Sequence, residues 1–237
     1  MTTKRVRSAA GEKTVRRSPR APAARSVTTP STSEPAPRVG RGAEVQDAAL
    51  ALFSRLGYHG ASMKDIAAAL RMRAPSLYNH VAAKQDLLRE IVVTTHEMAD
   101  RELRAAVKSS DDVAEQLRRA TEVHVRFHTR HPREWRVASR DLEHLEEPAR
   151  TQVRKMRRSF EDLVVGIIER GVAEKRFNVT SARLTAYAIF RMSAGVGQWY
   201  RPGGDFSEGE IAFCFGDLAL RMVGLQPPPT KKKDKPR

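Results

Sequence analysis

One proline constrains this chain more than any other residue. Pro75 lies in Ala-Pro-Ser-Leu-Tyr-Asn-His-Val (74–81). A ring that fixes φ and lacks an N–H is tolerated in a helix only in its first turn. A short helix therefore starts near Ala74, with Leu77 and Val81 on one side and Ser76, Tyr78, Asn79 and His80 on the other. Upstream, Ser62 offers an N-cap with Asp65 three residues on, a weak relative of the capping box. The helix it opens would bury Ile66, Ala67 and Leu70, while Ala68 and Ala69 allow a close crossing. A helix as short as the one at Pro75 is not stable alone, and hydroxyl, amide and imidazole groups make poor core material. They suit phosphates and base edges in a major groove. The stretch 62–81 reads as a helix-turn-helix.

Its flanks sharpen that reading. Residues 44–56 carry Val45, Ala48, Ala49, Leu52, Phe53 and Leu56 at helical spacing, closed by Gly57. A longer helix begins near Lys84. In order, Ala48, Leu52-Phe53, Gly57-Tyr58, Ser62, Ile66-Ala67, Leu77-Tyr78, His80, Lys84 and Leu87-Leu88 resemble the DNA-binding domain of the tetracycline-repressor (TetR) family. The resemblance spans roughly fifty residues with several residue types at fixed offsets, which is far more specific than a lone motif. Three positions depart from the family pattern. Arg71-Met72-Arg73 stands where Gly-Val-Ser is usual in the turn, Ala61 replaces a threonine, and Ala83 replaces a serine or asparagine before Lys84. Each lost side-chain cap, at the second helix of the motif and at the helix after it, should cost about 1 kcal/mol. The two arginines in turn can reach phosphates. The resemblance implies that Tyr78, His80 and Lys84 contact phosphates and that Ser76 and Asn79 face the groove. Ser62, Lys64, Arg71 and Arg73 complete the expected DNA-binding set.

The formal charge of +15 does not by itself argue for DNA. Residues 1–42 hold ten basic and two acidic residues, and residues 226–237 hold five and one, so the stretch between is nearly neutral. The leading segment is rich in Ser, Thr, Pro, Arg and Ala and lacks apolar periodicity, so it is expected to be a disordered basic arm. It reads as a solvated tail or as a phosphate-gathering arm. An organellar transit segment has a similar composition, but the bacterial-type motif behind it opposes that reading. The single cysteine, Cys214, excludes an intrachain disulfide and points to a reducing compartment. No apolar run reaches the length of a membrane span and no secretory h-region is visible, so a cytoplasmic, nucleoid-associated protein is expected.

The rest of the chain is helical in pattern, with no strand signal, giving an all-α fold. Helices are expected from Lys84 to about Val107, after Ser109-Ser110-Asp111 to about Thr129, over 133–145, from Pro148 to Gly171, and over 181–198 and 207–224. The last opens with the capping box Ser207-Glu208-Gly209-Glu210. Both final helices are apolar on more than one side, which suggests a partner, and the resemblance implies a four-helix homodimer interface there. The division expected is an arm (1–42), a helix-turn-helix domain (43–90), a helical effector-binding and dimerisation domain (91–225) and a basic tail (226–237).

His124, His128 and His131 invite a metal reading, but a third ligand beside Pro132 falls past the helix end, and Arg126 and Arg130 repel a cation. No metal and no cofactor are expected. Nothing resembling a nucleophile elbow, a phosphate loop or a His-Glu-x-x-His helix is present, so the chain is not expected to be an enzyme. Residues 195–210, with Trp199-Tyr200-Arg201-Pro202, resemble a branch of the family that responds to coenzyme A thioesters. By geometry alone the same stretch reads as a helix end, a turn and an aromatic lid. The expected effector set is His124, Trp135, Arg136, Arg140, Met156, Phe160, Phe190 and Trp199, with Arg154 and Arg157 as further candidates for phosphates. The expectation is a repressor that binds double-stranded operator DNA and is released by a small effector, an acyl-coenzyme A. The rivals are an architectural DNA-binding protein without an effector and an acyl-handling enzyme.

Overall fold

The computed structural model of the chain describes residues 40–226, so the basic arms, save residues 40–42 and 226, lie outside the described residues. Within them there are nine α-helices, one 3-10 turn and no strand. In order they are α1 (Arg41–Leu56), α2 (Met63–Ala69), α3 (Ala74–Tyr78), α4 (Lys84–Lys108), α5 (Val113–Arg130), α6 (Pro132–Arg140), a 3-10 turn (Leu142–His144), α7 (Ala149–Ala173), α8 (Ala182–Trp199) and α9 (Glu208–Met222).

The first apolar cluster joins Val45, Phe53, Ile66, Leu77, Leu88 and Val92, which closes α1 to α3 onto the start of α4. It does not end at residue 90. Val137, Ala138, Leu142, Leu145 and Val153 belong to the same cluster, so α6, the 3-10 turn and the first turns of α7 are built into it. A second cluster gathers the far end of α4 (Leu103, Val107) with α5, α7, α8 and α9. At about 1.5 Å per residue, the 25 residues of α4 make a strut of about 37 Å that serves both clusters. Helix α5 is the hub of the second, packed against α4, α7, α8 and α9.

The caps explain most boundaries. Helix α5 starts one residue later than the 109–111 break suggests, because Asp112 accepts from the Glu115 N–H at 2.9 Å. Serines 181 and 207 cap α8 and α9, the latter with the reciprocal Glu210 bond. The helix expected over 133–145 is two pieces. The buried Asp141 takes the Arg140 guanidinium, the chain tightens into a 3-10 turn, and Leu142 and Leu145 swing into the first cluster. Leu56, placed on the apolar stripe by spacing, is exposed. Ala83 has no side-chain cap to give, yet Asp86 accepts from its N–H at 3.0 Å and recovers half of a capping box at the start of α4.

Candidate functional site

The helix-turn-helix unit is built from caps and turns. Ser62 and Asp65 form a complete capping box: the Asp65 N–H donates to Ser62 Oγ at 3.2 Å and the Ser62 N–H to Asp65 Oδ2 at 2.8 Å. Hydrogen bonds from the Ser62 side chain and backbone hold the Asp65 carboxyl below the usual carboxylate range. Helix α2 ends in a Schellman arrangement, with the Arg71 N–H on Ala68 O at 3.0 Å and the Met72 N–H on Ala67 O at 2.8 Å. That motif places Arg71 at φ 55°, in the left-handed region that favours glycine. Arg73 then runs extended into α3, which has Pro75 in its first turn and no side-chain cap. Leu77 is fully buried and fixes the rotation of α3, leaving Ser76 half-buried and Tyr78, Asn79 and His80 exposed. Ser62, Lys64, Arg71 and Arg73 are exposed too, and the three cations make no ion pair among the described residues.

Lys84 differs from the expectation. Its ammonium donates to Tyr58 O and Ala61 O, both at 3.0 Å, and sits 4.2 Å from the Tyr58 ring centroid. It closes the α1–α2 turn onto α4, so its first role is internal. Tyr58 is buried between this cation and Phe53, and burial pushes its hydroxyl up.

The body holds a cavity of about 270 Å3 between α4, α5, α6, α7 and α8. Its apolar walls are Phe127, Trp135, Met156, Phe160, Phe190 and Ala194, with Ala99 beside them. Polar groups are few: His96, His124, Arg157, Glu161, Tyr187 and Arg191. Five of the eight expected effector residues, His124, Trp135, Met156, Phe160 and Phe190, meet here. The other three do not. Arg136 is exposed on α6 away from the lining, and the last residue of α8, Trp199, is half exposed. Arg140 is committed elsewhere: its guanidinium pairs with Asp141 at 2.8 Å and donates to the Phe53 carbonyl. Arg154, also considered for phosphates, pairs with Glu143 at 2.8 Å.

Sequence reasoning missed His96, Ala99, Phe127, Glu161, Tyr187, Arg191 and Ala194. A signal existed for α8, where Tyr187, Phe190, Arg191 and Ala194 share one helical face with spacings of three and four. Of the histidines weighed for a metal, His124 and His128 stack edge to face with Nε2 atoms 3.2 Å apart, while His131 approaches Glu134 at 3.9 Å. No group of three or more metal-ligating side chains is found among the described residues.

The cavity and the helix-turn-helix unit share an element. Trp135 lines the cavity from α6, and Arg140, at the end of the same helix, donates to the last turn of α1. One turn further on, His144 Nδ1 lies 3.2 Å from His59 Nε2, its ring stacks on Tyr58, and its carbonyl accepts from Gln85 at 2.6 Å.

A helix-turn-helix head sharing its core with an all-helical, cavity-bearing body defines a class of DNA-binding regulators, and the comparisons agree. Residues 46–91 match the model of bacterial regulatory proteins of the tetR family, and residues 110–223 match the tetracyclin repressor-like C-terminal domain. The chain is 26% identical over 204 residues to the HTH-type transcriptional repressor KstR2 of Rhodococcus jostii (strain RHA1), covering 85% of this chain and 99% of that protein. A tetR-family regulatory protein from Rhodococcus RHA1 superposes with a TM-score of 0.73 at 26% identity, covering 80% of this chain and all of the other. AibR, solved with isovaleryl coenzyme A and operator DNA, shares the fold with a TM-score of 0.67 at 21% identity, over 77% of this chain and 97% of its own. The chain belongs to the tetracycline-repressor family. Members of this family are transcriptional regulators rather than enzymes, so the acyl-handling enzyme is set aside. No helix among the described residues is long and apolar enough to cross a membrane.

Proposed function

We propose that the chain is a homodimeric repressor whose operator affinity is lowered when an acyl-coenzyme A seats its acyl group in the α4–α8 cavity. The division near residue 90 into a DNA-reading head and an effector body is part of the same reading. The observation that carries it is the contrast among arginines around the body. Arg140 and Arg154 are paired with carboxylates, whereas Arg157 and Arg191 line an otherwise aromatic cavity and make no ion pair among the described residues. An apolar slot edged by two unpaired guanidiniums suits a ligand with a greasy end and a phosphate-bearing end. The resemblance of residues 195–210 supports the same ligand class, and AibR is a protein of this fold that takes isovaleryl coenzyme A together with operator DNA.

Release would run through α6. A ligand that displaces Trp135 shifts the helix whose other end holds α1 through Arg140 and Phe53, so the spacing of the two heads in a dimer changes. A preference of about 1–3 kcal/mol for the mis-spaced state would weaken operator binding about 5–150-fold. At about 270 Å3 the cavity lies just below the usual ~300–1,000 Å3 range, so it suits a short acyl group and not the whole thioester.

Calorimetry on the full-length protein with straight-chain thioesters of rising length, against the matching free acids, tests the reading. Affinity should rise by about 0.8 kcal/mol per buried methylene until the cavity is full, then fall. Replacing both Arg157 and Arg191 with glutamine should narrow the gap between thioester and acid. Free acids that bind as tightly as their thioesters would remove coenzyme A from the reading. Ligand binding without change in operator affinity would leave an architectural DNA-binding protein as the better description.

A further inference from the structure

We propose that His59 and His144 together bind a divalent transition ion of the kind imidazoles prefer, zinc, copper or nickel, and that this ion fastens the helix-turn-helix to the 3-10 turn after α6. The inference depends neither on the cavity nor on coenzyme A, so its failure would leave the effector reading untouched.

The site joins segments 85 residues apart. His59 lies between α1 and α2, and His144 closes the 3-10 turn. His59 Nε2 and His144 Nδ1 are 3.2 Å apart, and both residues are exposed. Their rings meet edge to face with centroids 4.3 Å apart. Both also rest on one buried ring, that of Tyr58, which lies edge-on to His59 at 5.2 Å and stacks on His144 at 6.0 Å. Phe53 and the Lys84 ammonium hold Tyr58 in turn. The His144 backbone is tied twice, its N–H donating to Asp141 O at 3.0 Å and its carbonyl accepting from Gln85 at 2.6 Å. The fold therefore sets the positions of both rings before any ligand arrives.

The separation suits a shared metal ion. Two nitrogens bound to one tetrahedral zinc at about 2.0–2.1 Å lie about 3.3–3.4 Å from each other, and a small rotation of exposed rings supplies the difference. A hydrogen shared between two neutral imidazoles fits the same separation, and an ion can displace it. Two positions of the tetrahedron remain for water, so binding should be reversible, with a dissociation constant on the order of 10 μM. Two opposite charges stand beside Tyr58: the Lys84 ammonium, and the Glu146 carboxylate, which after burial is the second cause that pushes the Tyr58 hydroxyl up.

Solvent access separates this pair from the other histidines. His124 and His128 hold their Nε2 atoms at the same 3.2 Å, but both are buried and their Nδ1 atoms are shut from solvent, so an ion cannot arrive there with its waters. His131 has Glu134 beside it, at 3.9 Å.

Calorimetry on the full-length protein with zinc chloride should show one ion per chain, and magnesium chloride should show none. His59→Ala and His144→Ala, both at exposed positions, should each weaken zinc binding at least about tenfold. In the wild type, the nitrogen-15 resonances of His59 Nε2 and His144 Nδ1 should move with zinc, while those of His80 and His131 should not. Zinc at ten times its dissociation constant should favour the folded form about elevenfold and raise the urea midpoint, an effect absent from both variants. No zinc binding would leave the 3.2 Å approach as a shared hydrogen and overturn the proposal. So would binding that survives in both variants, resonance shifts confined to other histidines, or a urea midpoint that zinc leaves unmoved.

Discussion

Arg71 holds a left-handed backbone at φ 55° because the Schellman end of α2 demands it, where the family pattern usually has glycine. A side chain there costs about 1–2 kcal/mol, and a glycine would lose about 0.5–1 kcal/mol of that gain to its freer unfolded chain. Arg71→Gly should therefore stabilise the protein by about 0.5–1 kcal/mol in urea titrations. The same variant should bind DNA of any sequence more weakly and lower the salt slope by about 0.9. Greater stability with unchanged DNA binding would mean that Arg71 touches no phosphate. Lys84 asks for the opposite reading. The resemblance implies a phosphate contact, but its ammonium holds two carbonyls and a ring face. Lys84→Met should cost about 2 kcal/mol of stability, and the DNA defect should shrink when binding is measured on the folded fraction. A fully stable variant with a flatter salt slope would restore the phosphate role.

Gly216 shows how an element's inner and outer faces can be confused in a sequence. It sits among small and apolar residues of α9 that read as partner-facing, yet a Cβ there would come 2.9 Å from Arg118 Cγ and 3.2 Å from Glu122 Cγ of α5. Gly216→Ala should therefore loosen α9 from its own α5 and cost about 1–3 kcal/mol, with little effect on association between chains. A monomeric but fully stable variant would reverse that assignment. The helix-turn-helix was legible because its signals are local: a proline that can sit only in a first turn, a cap, and a stripe of period 3.6. The Ser207–Glu210 box was legible for the same reason. The cavity was half legible. Aromatic and Met positions on α5 to α8 converge as expected, but the guanidiniums could not be assigned from sequence. A long side chain chooses among partners on other elements, and Arg140 found Asp141 and α1 whereas Arg191 makes no ion pair among the described residues. His96 was hidden because its stripe on α4 reads as core, and only the placement of α6 and α7 opens a cavity against it.

For the whole molecule, association and acid stability are separable. Helices α8 and α9 cover α5 on one side and leave Leu184, Phe213, Leu218 and Met222 exposed on others. Leu218→Glu should leave the subunit folded while sedimentation shows monomers that bind operator poorly. A dimeric variant would move the interface elsewhere. Between neutral pH and about 5, acid stability should depend on three buried histidines. Burial pushes His96 down, pushes His124 well below its ordinary value with help from His128, and pushes His128 down to about 4. Because the unfolded chain takes up these protons near the usual 6.5 and the folded chain does not, it binds more protons in that window and stability rises with pH. The contribution is complete above 6.5 and is lost as pH falls toward the folded values, by at most about 1.4 kcal/mol per pH unit for each histidine. The carboxylates act later. Glu115, held at about 2 by Arg118 and Arg119, and Glu147, held at about 2 by Thr151 and Arg150, lose their contribution only as pH falls below the usual 4.5. Urea titrations between pH 7.5 and about 5 should therefore show a steep loss that belongs to the histidines. His128→Phe should make that loss shallower by about one proton's slope, since the partner His124 keeps its own buried ring. A stability that is flat from pH 7 to about 5 in the wild type would mean that these imidazoles take up protons in the folded protein as readily as in the unfolded chain, so that burial does not hold them neutral.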